Sequence, residues 1–165
     1  IACHLKGQGL LVSNEIISSR AAILAQNMER FGVTNAVITN ESPDRLSKVF
    51  PEYFDKILVD APCSGEGMFR KEPRACMEWN KDVPFSCANR QLKIIMEAEK
   101  MLKPGGRLVY STCTFSPEEN EGVIEQFLQV CSNMKICNIN GMDDMGQGRP
   151  DWIGGREDLK KCKRI

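Results

Sequence analysis

Two cysteines stand in matching surroundings along this chain: Cys63 within Asp60-Ala61-Pro62-Cys63-Ser64-Gly65, and Cys113 within Ser111-Thr112-Cys113-Thr114-Phe115. Each follows an apolar β-type run, Ile57-Leu58-Val59 for the first and Leu108-Val109-Tyr110 for the second, and each sits in the polar loop just beyond. In an α/β sheet, ligands and chemistry collect outside the carboxyl ends of the strands. If the two strands are neighbours, both thiols enter one cleft beside Asp60. Two converging thiols next to a carboxylate point to thiol chemistry on a substrate. The other cysteines carry no such signal. The eight lie at 3, 63, 76, 87, 113, 131, 137 and 162 with no Cys-x-x-Cys pair, and His4 is the only histidine. No metal is expected from that ligand set. In a chain with an apolar core and no secretion-type segment, reduced thiols are expected. Cys131 and Cys137 read as small core residues, and Cys76 and Cys87 are given no function.

The 165 residues suit one domain with a sizeable core. With 42% hydrophobic and 27% charged residues the chain has an ordinary globular composition. Its 22 basic and 22 acidic residues cancel, which argues against a strongly basic nucleic-acid binder but leaves room for a local patch. No apolar run approaches the ~20 residues that span a bilayer, so no membrane role is expected.

The elements that must position the thiols follow from periodicity and breakers. Leu10-Leu11-Val12 reads as a strand closing on Asn14 and Glu15. A helix follows, capped by Ser18 or Ser19, with Ala21, Leu24, Ala25, Met28 and Phe31 at helical spacing and Gly32 at its end. Ala36-Val37-Ile38-Thr39 is a strand ending near Asn40 and Glu41; a short helix over 43–49 leads to the strand that ends on Asp60. Gly67, Pro73 and Pro84 break the pattern between 65 and 85. Ser86 then opens a long helix carrying Leu92, Ile95, Met96 and Leu102, and Pro104-Gly105-Gly106 turns it into the strand before Ser111. Ser116-Pro117-Glu118-Glu119 reads as a capping box for a helix with Val123, Ile124, Phe127, Leu128 and Cys131 on its inner face. A weak strand is expected over 135–139, then a glycine-rich loop and a basic tail over 141–165, its run 160–164 solvated. The alternation predicts an α/β fold with a doubly wound, mostly parallel sheet. Glu15, at a strand end, is placed to bind the ribose hydroxyls of a nucleotide-like cofactor; as a bland alternative it caps a helix or sits on the surface.

The motif 60–67 together with 111–115 closely resembles the Sun/Nop-type RNA cytosine-C5 methyltransferases. Gly67-Met68-Phe69-Arg70-Lys71 also matches the pattern of the bacterial RsmF-type ribosomal RNA enzymes. The resemblance runs from about Gly9 to Phe127. It implies a Rossmann-like, class I S-adenosylmethionine-dependent methyltransferase of the bacterial cytoplasm, with ribosomal RNA, 16S rRNA in particular, as substrate. It assigns Cys113 as the nucleophile that adds to C6 of cytosine and Cys63 as the residue that assists product release. Asp60 would hydrogen-bond the ring near N3, and Pro62 would hold Cys63 on a stiff loop. Glu15 would take the ribose of S-adenosylmethionine and Asn40 the adenine, where the family often has aspartate; Asp60 and Pro62 would also line the cofactor. Arg70, Lys71 and Arg74, close to the cysteine loop, are expected either on RNA phosphates or as solvated loop charges.

The family's glycine-rich loop for the methionine end of the cofactor is not found before Gly9, and its last strand is not found after the basic run. An internal stretch of a longer enzyme is therefore expected, a partial catalytic domain lacking the first and last strands. Such a stretch alone is expected not to bind S-adenosylmethionine at micromolar concentration. Three alternatives remain open: a non-catalytic fragment contacting RNA or the ribosome, a DNA cytosine-C5 methyltransferase using the Pro-Cys cysteine as nucleophile, and a redox thiol protein, which requires Cys63 and Cys113 within disulfide reach. The sequence carries no signal of oligomeric state.

Overall fold

Short apolar runs pair into parallel ladders, and two such ladders organise this chain. The computed structural model describes residues 1–164, and the chain divides into two units, Ile1–Phe50 and the residues from Pro51 onward.

In the first unit a four-residue helix α1 (Ala2–Leu5) precedes β1 (Leu11–Asn14), α2 (Ser18–Arg30), β2 (Ala36–Thr39) and α3 (Pro43–Val49). Strands β1 and β2 pair in parallel, Leu11 with Ala36 through Asn14 with Thr39, as a strand–helix–strand crossover requires. Helix α2 stops where Gly32 takes a left-handed φ of 64° and its N–H reaches the Glu29 carbonyl. Its start differs from expectation. Ile17 is the capping residue and neither Ser18 nor Ser19 caps; the Glu15 carboxylate instead accepts the Ile17 N–H at 2.9 Å. A carboxylate two residues upstream satisfies an orphan donor of the first turn and complements the helix dipole.

The second unit is built on β3 (Phe54–Asp60) and β4 (Leu102–Ser111), again parallel, with Lys56 opposite Arg107 through Asp60 opposite Ser111. Between Phe54 and Lys56 the register jumps. The residues 103–106 are spent on an irregularity inside β4 where a turn before the strand was expected, and Gly105 supplies the φ of 78° it needs. Between the strands run a single 3-10 turn at Glu66–Met68, the short helix α4 (Pro73–Glu78) and the long helix α5 (Val83–Met101). Helix α5 begins three residues before Ser86 and passes directly into β4. Its buried stripe is Ala88, Gln91, Ile95 and Ala98, at 3-4 spacing. That stripe packs with Val123, Phe127 and Leu128 of α6 (Glu121–Val130) and with Val59 and Ala61 of the β3 end. The opposite face of the ladder is open: the paired Leu58 and Val109 are 51% and 47% exposed.

Three local expectations change. Ser116 does accept the Glu119 N–H, at 3.4 Å, yet residues 117–120 form a turn and α6 starts at Glu121. The Glu119 side chain turns into the protein instead of back to the Ser116 N–H, because buried donors there need an acceptor. The weak strand at 135–139 does not form, and Cys137 is exposed whereas Cys131 is buried. Within 141–165, expected as loop and basic tail, the described residues include two 3-10 turns and an antiparallel pairing of β5 (Gly146–Gln147) with β6 (Lys163–Arg164). Arg164 there pairs with the buried Glu121 and stacks over Trp152 at 4.9 Å. Burial raises the Glu121 carboxyl, but hydrogen bonds from Arg164 and the Arg149 N–H outweigh it and leave it below the ordinary range. Ile165 lies outside the described residues. No helix among those residues is long and apolar enough to cross a membrane.

Candidate active site

Strands β3 and β4 end side by side, so the loops that leave them start in register. The Ser111 hydroxyl donates to Asp60 Oδ1 at 3.2 Å, and the Ala61 N–H donates to the Ser111 carbonyl at 2.9 Å. Three residues beyond Asp60 and two beyond Ser111, Cys63 Sγ lies 3.1 Å from Cys113 Sγ, and the Cys113 N–H donates to Cys63 Sγ at 3.4 Å. The next residues repeat the pairing, with Ser64 Oγ 2.8 Å from Thr114 Oγ1. The Gly67 N–H donates to the Cys113 carbonyl at 2.9 Å, and Glu66 accepts the Phe115 N–H at 3.1 Å. Asn120 closes the second loop, accepting from Thr112 at 2.6 Å and donating to the Thr114 carbonyl at 3.0 Å. Asp60, Cys63 and Cys113 therefore come together at the ends of two adjacent strands. All eight cysteines are free thiols.

The two sulfurs are not equivalent. Cys113 is exposed, while Cys63 is half-buried and its thiol is pushed up to about 12, first by burial and then by the hydrogen bond with Cys113. Cys63 thus keeps its proton at neutral pH and can donate it toward the Cys113 sulfur. At pH 8 Cys63 should therefore carry much less thiolate than an unperturbed thiol. Timed iodoacetamide labelling with peptide mapping is expected to modify Cys113 well before Cys63. Equal labelling rates would contradict this difference. The same shift carries a sign for stability: because folding holds the Cys63 proton, its contribution is intact below the ordinary value of 9.0 and is lost as pH rises toward about 12.

Behind the first loop lies a buried polar cluster that reading the sequence missed. Glu119 and Gln91 are both fully buried. Glu119 Oε2 accepts the Ser64 N–H at 2.9 Å and the Gln91 side-chain amide at 2.7 Å, and that amide also donates to the Pro62 carbonyl at 2.9 Å. The Tyr110 hydroxyl lies 3.0 Å from Gln91 Oε1 and 2.8 Å from the Glu119 carbonyl. Burial, reinforced by Glu119, raises the Tyr110 phenol, so it stays a neutral donor. A signal was available: Gln91 interrupts an otherwise apolar buried stripe of α5.

The cofactor residues read from the sequence fall in both units. Glu15 and Asn40 lie at the ends of β1 and β2 in the first, where the Asn40 amide donates to the Glu15 carbonyl at 2.6 Å. Glu15 also pairs with Arg20 at 2.9 Å, so it serves the helix start as well. A carboxylate offers about four lone-pair sites; with one bond to the Ile17 N–H and one to Arg20, it keeps acceptor capacity for a diol, which fits a ribose. Asp60 and Pro62 belong to the second unit. Arg70, Lys71 and Arg74 are exposed, and none of them holds an ion pair among the described residues.

Parallel βαβ units, with solved methyltransferase structures that superpose on them, give a Rossmann-like methyltransferase fold. Residues 1–151 match the family model described as 16S rRNA methyltransferase RsmB/F, and the chain belongs to that family. It is 39% identical over 153 residues to ribosomal RNA small subunit methyltransferase F of Pectobacterium atrosepticum, covering 90% of this chain and 30% of that protein. The protein of the same name from Aliivibrio fischeri is 44% identical over 131 residues, covering 77% of this chain and 28% of its own length. The chain thus spans under a third of these curated relatives. Among solved structures, NSun6 from Pyrococcus horikoshii, determined with SFG, superposes with a TM-score of 0.76 at 31% identity over 89% of this chain and 36% of that one. A methyltransferase homolog protein from Pyrococcus horikoshii gives 0.77 at 30% identity, covering 97% of this chain and 49% of its own.

Proposed function

We propose that the protein is an S-adenosylmethionine-dependent RNA cytosine-C5 methyltransferase of the bacterial cytoplasm, acting on ribosomal RNA, with 16S rRNA the substrate indicated by its relatives' names. The observation that carries this function is the thiol pair at 3.1 Å beside Asp60, at the ends of two adjacent parallel strands.

Cytosine C5 is too weak a nucleophile to take a methyl group unaided. Covalent addition replaces that step by easier ones. The Cys113 thiolate forms a bond to C6, and the electron pair of the C5–C6 double bond moves into the ring. Asp60 hydrogen-bonds the ring near N3, where the negative charge develops. Held by Glu15 and Asn40, S-adenosylmethionine would supply an electrophilic methyl group for C5, its sulfur keeping the pair of the broken sulfur–methyl bond. A water molecule then takes the C5 proton, and the C–H bonding pair restores the double bond as the C6–sulfur bond breaks, returning Cys113 as thiolate; Cys63 assists that release. Glu15 is the residue for the cofactor's ribose and Asn40 for its adenine, and Asp60 and Pro62 are the cofactor residues contributed by the second unit. Arg70, Lys71 and Arg74 are placed to meet RNA phosphates. The target base must be single-stranded or flipped from its stack to expose C5 and C6.

The whole protein, given S-adenosylmethionine and unmodified 16S rRNA, should produce 5-methylcytidine, measured by nucleoside mass spectrometry after digestion. Methylation appearing on another base, or on DNA in preference to RNA, would contradict the assignment.

A further inference from the structure

We propose that Glu119 and Gln91 are positioning residues for Cys63, a buried clamp that fixes its loop on both sides so that its thiol can serve product release. The clamp's purpose rests on the roles proposed above for the cysteine pair.

Cys63 is flanked by one backbone acceptor, the Pro62 carbonyl, and one backbone donor, the Ser64 N–H. Gln91 takes the first at 2.9 Å and Glu119 the second at 2.9 Å, and the two side chains are joined to each other at 2.7 Å. Tyr110 accounts for the orientation of the Gln91 amide, since its hydroxyl lies 3.0 Å from Oε1 and leaves Nε2 for the loop. The three side chains come from α5, from the turn before α6 and from β4, so the loop is tied to separate rigid elements. Two fully buried polar side chains are costly unless their hydrogen bonds are made, and a hydrocarbon would pack there without that demand. What the polar pair adds is the grip on the backbone either side of Cys63. The loop of Cys113 has its own supports in Asn120 and Gly67, so losing the clamp falls first on Cys63.

Glu119 Oε1 has no partner among the described residues, and Oε2 carries both bonds. A glutamine at this position can therefore keep both with its oxygen, whereas leucine keeps neither. The test follows single-turnover formation and decay of the covalent enzyme–RNA adduct in the whole protein, with S-adenosylmethionine and 16S rRNA. Glu119→Leu is expected to form adduct within about threefold of wild type and to release it about 100-fold more slowly, the order of loss for a misplaced group. Glu119→Gln is expected to release normally. Gln91→Met removes the other arm of the clamp, carries the same expectation as Glu119→Leu, and decides the matter if that variant does not melt cooperatively. Release at the wild-type rate without the clamp, or a Glu119→Gln variant as slow as Glu119→Leu, would overturn the proposal. Cys63→Ala is run alongside: if it does not trap adduct, the role of Cys63 itself fails and the clamp's purpose with it, which is distinct from a clamp that does not matter.

Discussion

Cys113→Ala is expected to abolish covalent addition to RNA and to lower turnover roughly 10,000-fold or more, the scale on which loss of a nucleophile acts. Cys63→Ala should still add to the base and methylate it, then stall with protein and RNA joined, lowering steady-state turnover by about 100-fold or more. The asymmetry follows from the surroundings of the sulfurs. Cys113 is exposed, where a base can reach it, with the Cys63 sulfur 3.1 Å away. Cys63 is half-buried and held protonated, first by burial, so it is a poor attacker at neutral pH. Gel shift under denaturing conditions, with quantified 5-methylcytidine, reads both outcomes. A variant pair behaving the other way round would match the arrangement of a DNA-type enzyme, in which the Pro-Cys cysteine attacks.

Gly67→Ala is expected to lower activity about 100-fold while costing only about 1–3 kcal/mol of stability. A Cβ at this position would lie 2.6 Å from the Cys113 carbonyl oxygen, the same atom that receives the Gly67 N–H at 2.9 Å. Backbone meets backbone here, so no side-chain rotation can relieve the clash, and either the 3-10 turn or the Cys113 loop must move. A thermal melt shifted by a few degrees, together with a large fall in the rate of adduct formation, is the expected pair of results. Wild-type adduct formation by Gly67→Ala would show that the close approach is not needed.

Much of this was legible in the chain itself, for identifiable reasons. β3 and β4 stood out because each is an apolar run stopped by a polar residue, and the alternation of strands and helices implied parallel strands; that these two are neighbours, which brings Cys63 to Cys113, comes from the pairing itself. Other features depended on tertiary partners. Ser116-Pro117-Glu118-Glu119 satisfies the pattern of a capping box, but Glu119 was drawn inward by the Ser64 N–H and the Gln91 amide, and no local pattern records donors that far away in sequence. Ser18 and Ser19 were plausible caps until Glu15 took the helix start. The basic run at 160–164 gave no hint that Arg164 would meet a buried Glu121 contributed by α6. Cys137 read as a small core residue, yet the strand expected around it does not form and it is exposed. In each case a long-range polar partner, or the lack of an apolar one, overrode a local preference.

The most direct test is to locate the covalent bond. RNA containing 5-fluorocytosine at the target position, incubated with the whole protein and S-adenosylmethionine, leaves the adduct unable to lose a C5 proton, so it persists through digestion. Mass spectrometry of the RNA-linked peptide is predicted to place the bond on Cys113. A linkage on Cys63, or continued methylation of ordinary RNA with no covalent species formed on the fluorinated one, would contradict the unequal roles assigned to the pair.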